Sequence, residues 1–147
     1  MNNKRTELCT ALLCCLLAAS PAWCGDNGNG TVTVSGLVWL KNASCLGKKD
    51  WNSASGAAQN LSAANAPTAC NLKDSSTAGQ WRLPSFAELS SVSGSSSGQF
   101  SNVQYSNYWS SSASTLSGYY NVINLQTAAV GASSRSSLNY FLAVRNP

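Results

Sequence analysis

The sequence predicts an α+β domain with an antiparallel sheet, and three observations lead there. Short β-branched or apolar runs stand early in the chain, at 31–34 and 37–40, and again after residue 119. Two stretches with helix-start chemistry, at Asp50-Trp51 and Ser85-Phe86, lie between them. Strands, then helices, then strands again is the order of an α+β domain. At 147 residues the chain is about one domain, by the usual ~150 residues per domain.

The first 24 residues read as a secretory signal. Lys4 and Arg5 supply the basic start, and residues 8–19 form an apolar run too short to span a bilayer. Cleavage fits after Ala22 or after Cys24, each with a small residue at the third position back. Trp23 before Cys24 and Leu13 before Cys14 argue against a lipoprotein box, so the expectation is export to the periplasm, the medium or the cell surface. Residues 25–147 then form the mature domain, with no membrane span. Losing Lys4, Arg5 and Glu7 leaves seven cations against four carboxylates, a net charge of +3. That is too weak and too dispersed to suggest nucleic-acid binding.

Within the mature region Asp26-Asn27-Gly28-Asn29-Gly30 is turn chemistry. Its glycines stand where a calcium loop needs oxygen ligands, and no glutamate closes it, so no metal is expected. Residues 31–34 alternate as a strand, Ser35-Gly36 turns, and 37–40 form a second, more buried strand. Asp50 caps a helix from Trp51, whose Trp51, Ala54, Ala57, Ala58 and Leu61 recur at helical spacing; Asn65-Ala66-Pro67 should end it. Cys45 and Cys70 survive removal of the signal, and in an oxidising compartment this pair should be bridged. The bridge would clamp the helix to the strand before it.

Trp81-Arg82-Leu83-Pro84-Ser85 organises the middle of the chain. Pro84 disfavours helix before it, while Ser85 and Glu88 fit a capping box that starts a helix over 86–92. Trp39, Trp51, Trp81 and Trp109 stand in apolar contexts and are read as core. Arg82 and Arg145 are read as satisfied cations, pairing with Glu88, Asp26 or a C-terminal carboxylate. Lys48-Lys49 reads as a solvated loop. Residues 90–98 read as a Ser/Gly loop, and 105–112 belong to a long irregular middle. Spans 119–125, 128–133 and 141–145 read as three strands.

The residue inventory excludes much chemistry. The chain has no histidine, which removes Ser–His–Asp and Cys–His nucleophiles and imidazole zinc sites. Its mature carboxylates are Asp26, Asp50, Asp74 and Glu88, a small set for the paired acids of a glycosidase. No glycine-rich phosphate loop occurs. The expectation is a protein without enzymatic activity or cofactor. Only 10% of residues are charged, so Ser, Asn, Ala and Gly dominate; such a surface suits neutral or weakly charged ligands such as sugars.

One ordered set of motifs resembles the DUF1566 family, also called the Lcl C-terminal domain family. The set runs Asp26-Asn27-Gly28-Asn29-Gly30-Thr31-Val32-Thr33, Gly36-Leu37-Val38-Trp39-Leu40-Lys41-Asn42-Ala43 and Cys45. It continues through Trp51, Ala54, Leu61, Cys70-Asn71-Leu72, Gly79-Gln80-Trp81-Arg82-Leu83-Pro84, Glu88-Leu89, Phe100, Tyr108-Trp109-Ser110-Ser111 and Val144-Arg145. The resemblance implies a C-type-lectin-like fold, in which terminal strands pair and two helices flank a loop-rich ligand face. It also implies a role in adhesion or glycan binding. The low charge of residues 126–137, where only Arg135 is ionised, departs from the family pattern.

The implied face gathers Tyr119, Tyr120, Asn121, Arg135, Asn139 and Tyr140, which combine rigid contact area with adaptable hydrogen bonding. The expected partner is a glycan or a surface protein. An assembly component of the bacterial envelope is the alternative, and a diversified receptor on the same fold is a third reading.

Overall fold

A computed structural model describes residues 25–147. The secretory signal, its two cleavage positions and Cys24 lie outside the described residues. The described residues form an α+β domain with two antiparallel sheets and two short α-helices. In order the elements are β1 (Gly25–Asp26), β2 (Thr31–Val34), β3 (Leu37–Leu40), α1 (Trp51–Asn60) and α2 (Phe86–Ser91). They are followed by β4 (Asn107–Ala113), β5 (Tyr119–Asn124), β6 (Val130–Ser134) and β7 (Val144–Arg145). One sheet has the order β1-β2-β3-β7, the other β4-β5-β6.

The last segment of the chain joins the two sheets. Trp109 N–H donates to Tyr140 O, Leu40 N–H to Ala143 O, and Arg82 and Val144 exchange backbone bonds of 2.9 and 3.0 Å. Strand alternation then feeds two cores, because successive side chains point to opposite faces. Val38, Trp109, Val122 and Phe141 pack with Ala54 and Ala58 of α1. Their neighbours Trp39, Tyr108, Ile123 and Leu142 pack with Leu89 of α2. A strand covered on both faces shows no polar alternation in its sequence.

Local chemistry fixes the helices. Asp50 accepts the Ser53 amide at 3.0 Å, capping α1 as expected. The helix ends at Asn60, well before Pro67: Leu61 is extended, and Asn65 replaces the next turn. The Asn65 amide donates to Asn60 O at 2.6 Å and its side-chain oxygen accepts from Ser62 N–H at 2.8 Å. The predicted capping box is complete at α2, with Ser85 Oγ taking Glu88 N–H and Glu88 taking Ser85 N–H. Residues 94–99, expected as loop, form a 3₁₀ segment, and 107–113, expected as irregular, form β4.

The disulfide joins Cys45 to Cys70. It ties the loop after β3 to a 3₁₀ turn at Thr68–Cys70, beside α1, and Cys70 is buried against that helix. Nearby, Gly30 sits at φ +85°, and a Cβ there would lie 2.3 Å from the Asn71 carbonyl oxygen. Only glycine permits this close approach of two backbone segments.

Arg82 pairs with Glu88 as expected, through two bonds of 2.8 Å each. Arg145 pairs with Asp74, a partner outside the expected set, at 3.2 and 3.0 Å from Nε and Nη2. Asp26 is taken instead by Lys41. The Arg82 guanidinium, with help from the Ser85 amide, holds the Glu88 carboxyl at about 2 against its ordinary 4.5. A lowered carboxyl stabilises the fold above the unfolded value and loses that contribution as pH falls. Stability should therefore decline from about pH 4.5 towards about 2. Glu88→Gln should flatten that interval in a pH series of urea melts. Its cost at pH 7 should be about 1 kcal/mol, because the exposed side of Arg82 is screened by solvent.

Candidate functional site

Three of the six candidate residues converge at the start of α1. Trp51 and Tyr120 stack with ring centroids 3.7 Å apart and planes 14° from parallel. Trp51 Nε1 donates to Ser110 O at 2.9 Å, and its backbone amide donates to Arg135 O at 2.9 Å. Tyr120 stands opposite Ser133 in the β5–β6 register, and Asn139 Nδ2 donates to Ser133 Oγ at 2.9 Å. Asn139 also exchanges backbone bonds with Lys49. Tyr120 thus stacks on Trp51, the Arg135 carbonyl holds its amide, and Asn139 is bonded to Ser133 opposite Tyr120 and to Lys49 two residues before Trp51.

The other three stand apart from this cluster. Alternation along β5 directs Tyr119 and Asn121 to the side opposite Tyr120. Asn121 Nδ2 donates to Ala113 O at 3.3 Å. Tyr140 stacks on the buried Tyr108 at 5.5 Å, and Lys48 Nζ lies 5.1 Å from the Tyr140 ring centroid.

The structure adds Lys49 and Trp51 to this cluster, where the sequence predicts a solvated loop and a core tryptophan, and places Lys48 outside it, over Tyr140. Charge accounting was the available signal. Each of the four described carboxylates has a structural partner: Asp26 has Lys41, Asp50 caps α1, Asp74 holds Arg145 and Glu88 holds Arg82. Neither Lys48, Lys49 nor Arg135 has a carboxylate partner among the described residues. A cation near an aromatic face gains from the ring quadrupole, as Lys48 does over Tyr140.

Two of the clefts away from this cluster carry paired charges. One, of about 280 Å³, is lined by Asp26, Gly30, Lys41, Asn42 and Asn71 beside the disulfide. The other, of about 410 Å³, is lined by Trp81, Arg82 and Arg145. Their charged groups are already spent in ion pairs: Lys41 with Asp26, Arg82 with Glu88, Arg145 with Asp74. Among the described residues no group of three or more Cys, Asp or Glu could hold a metal, and no helix is long and apolar enough to cross a membrane.

Comparison with curated proteins returns no match. A family model described as the Lcl C-terminal domain matches residues 30–145, which includes every strand from β2 to β7 and the whole Trp51–Tyr120 cluster.

Proposed function

From the premise that the chain belongs to the Lcl C-terminal domain family, we propose an exported, non-catalytic binding domain of C-type-lectin-like fold that recognises a glycan or a surface protein. The observation that carries this reading is the face around Trp51. There a half-buried Trp–Tyr stack adjoins a buried amide and the chain positions of Lys49 and Arg135, two cations without carboxylate partners among the described residues. Aromatic rings offer sugars and protein side chains rigid apolar contact, while amides and cations fix orientation. The employment of all four described carboxylates in caps and ion pairs supports a non-catalytic role, since general acid–base chemistry needs a group free to exchange protons.

Pairing of β7 with β3 supports the lectin-like arrangement, as do α1 and α2 on opposite sides of the strands. The disulfide supports an oxidising compartment. A glycan array run beside a cell-binding assay tests the function. The expected result is retention above an unrelated exported control, with soluble saccharide competing where the ligand is a glycan. Binding at the control level in both assays overturns the proposal.

A further inference from the structure

The outer edge of β6 is open. Strand β6 is the last strand of its sheet and pairs only with β5. Hydrogen bonds at both ends of the hairpin set the phase: Asn124 N–H donates to Ala129 O and Arg135 N–H to Gly118 O. In an antiparallel pair hydrogen-bonded residues alternate with non-bonded ones. The register pairs Val122 with Gly131 and Tyr120 with Ser133. Those two pairs therefore carry the bonds to β5. Val130, Ala132 and Ser134 turn their backbone N–H and C=O groups outward. Of these, Ser134 O accepts Ser137 N–H; the other five have no protein partner among the described residues.

Nothing blunts this edge. Natural sheets protect open edges with lysine, proline, bulges or inward-pointing charges. Val130–Ser134 is Val-Gly-Ala-Ser-Ser, with no charge and no proline. Val130 is 66% exposed although it is a large apolar residue.

We infer that β6 is an interaction surface for a second copy of this chain, the two β6 strands pairing antiparallel about a twofold axis at Ala132. The symmetric register places Ala132 opposite Ala132 and Val130 opposite Ser134, so the outward groups answer one another. The two Ala132 residues exchange both backbone bonds, and each Val130 carbonyl takes the N–H at position 134 of the partner's strand, whose carbonyl stays with Ser137. A twofold contact of this kind is self-complementary and closes at two copies. Charge also fits a second copy. Arg135 falls opposite Ala129, so the two arginines stand roughly 20 Å apart along the strands, beyond the ~10 Å screening length. The two three-stranded sheets join into one of six strands. The face around Trp51 is repeated once per copy.

The test uses the protein expressed from its full coding chain, in sedimentation over a concentration series. Wild type is expected to pass from monomer to dimer mass as concentration rises. Ala132→Pro deletes an N–H that points away from β5, so it should keep the wild-type melting temperature while weakening dimerisation at least about tenfold. Val130→Lys puts a cation on the edge and should act in the same direction without touching the backbone. Ala132→Cys, oxidised and peptide-mapped, should join position 132 to itself, since bonded antiparallel pairs lie about 5.5 Å apart. A wild type that stays monomeric throughout overturns the inference. So does a dimer that Ala132→Pro and Val130→Lys leave intact.

Discussion

Trp81→Ala should lower stability by about 3–5 kcal/mol, the largest single-residue loss expected in this chain. Trp81 is 1% exposed and packs among Val38, Leu83, Phe141 and Ala143. It stands where three separate parts of the chain meet. The Arg145 guanidinium lies 5.3 Å from its ring centroid, Asp74 pairs with that guanidinium, and Arg82 next to it exchanges backbone bonds with Val144. Removing the indole leaves a cavity that these bonded backbones cannot close. Melting should fall by on the order of 10 °C or more.

Trp81→Phe separates packing from polarity. The Trp81 indole N–H is buried and has no hydrogen-bond partner among the described residues. Deleting an unpaired buried donor relieves a desolvation cost. The phenylalanine variant should therefore lose only about 1–2 kcal/mol, for the smaller ring. Equal losses for the two variants in urea melts would show that the indole N–H is needed and that packing is not the main term.

Cys45→Ala combined with Cys70→Ala should cost about 3–4 kcal/mol. The bridge closes a loop over a sequence separation of 25 that contains all of α1. Without it the unfolded chain gains the freedom that the bridge had removed. The folded domain also loses a buried group, since Cys70 packs against the α1 side of the core. Wild type melted in reductant should approach the midpoint of the double variant. Should reduction leave the wild-type midpoint unchanged, the bridge contributes no stability.

Much of the fold was legible because its signals are local. Thr31–Val34 and Leu37–Leu40 form the hairpin that their alternation and the Ser35-Gly36 turn predict. Asp50 and Ser85 cap the helices they precede. Strand β4 was hidden by its serines. Ser110 is fully buried, yet its hydroxyl bonds to Asn121 O at 2.7 Å, a partner on the next strand that sequence reading cannot supply. The end of α1 was missed for a similar reason, because the Asn65 side chain, not Pro67, stops it. Arg145 and Asp74 are 71 positions apart, so their pairing emerges only once the last strand is in place.

The candidate face was partly legible. Tyr120, Arg135 and Asn139 were marked by residue type and position late in the chain. Trp51 opens α1 and Lys49 lies just before it, and only folding brings them to the late-chain residues. Trp51 packs against the core as its helical spacing predicts, yet it stays half-buried with one ring face on Tyr120. The stack also changes what a tyrosine substitution reports. Tyr120→Ala removes the partner of a half-buried tryptophan and should cost about 1–2 kcal/mol, so it tests packing together with binding.

The face is tested most directly at its two cations whose side chains make no bond among the described residues. Lys49 and Arg135 have no side-chain partner among the described residues. Their replacement by alanine should leave the fold within about 0.5 kcal/mol of wild type, as surface substitutions do. Binding of the Lys49→Ala, Arg135→Ala double variant should be measured against the glycans or cells that retain the wild type, with melting recorded on the same preparations. The expected result is wild-type melting with binding at least about tenfold weaker, for two lost polar contacts. Wild-type melting with undiminished binding would contradict it and move the recognition face away from Trp51.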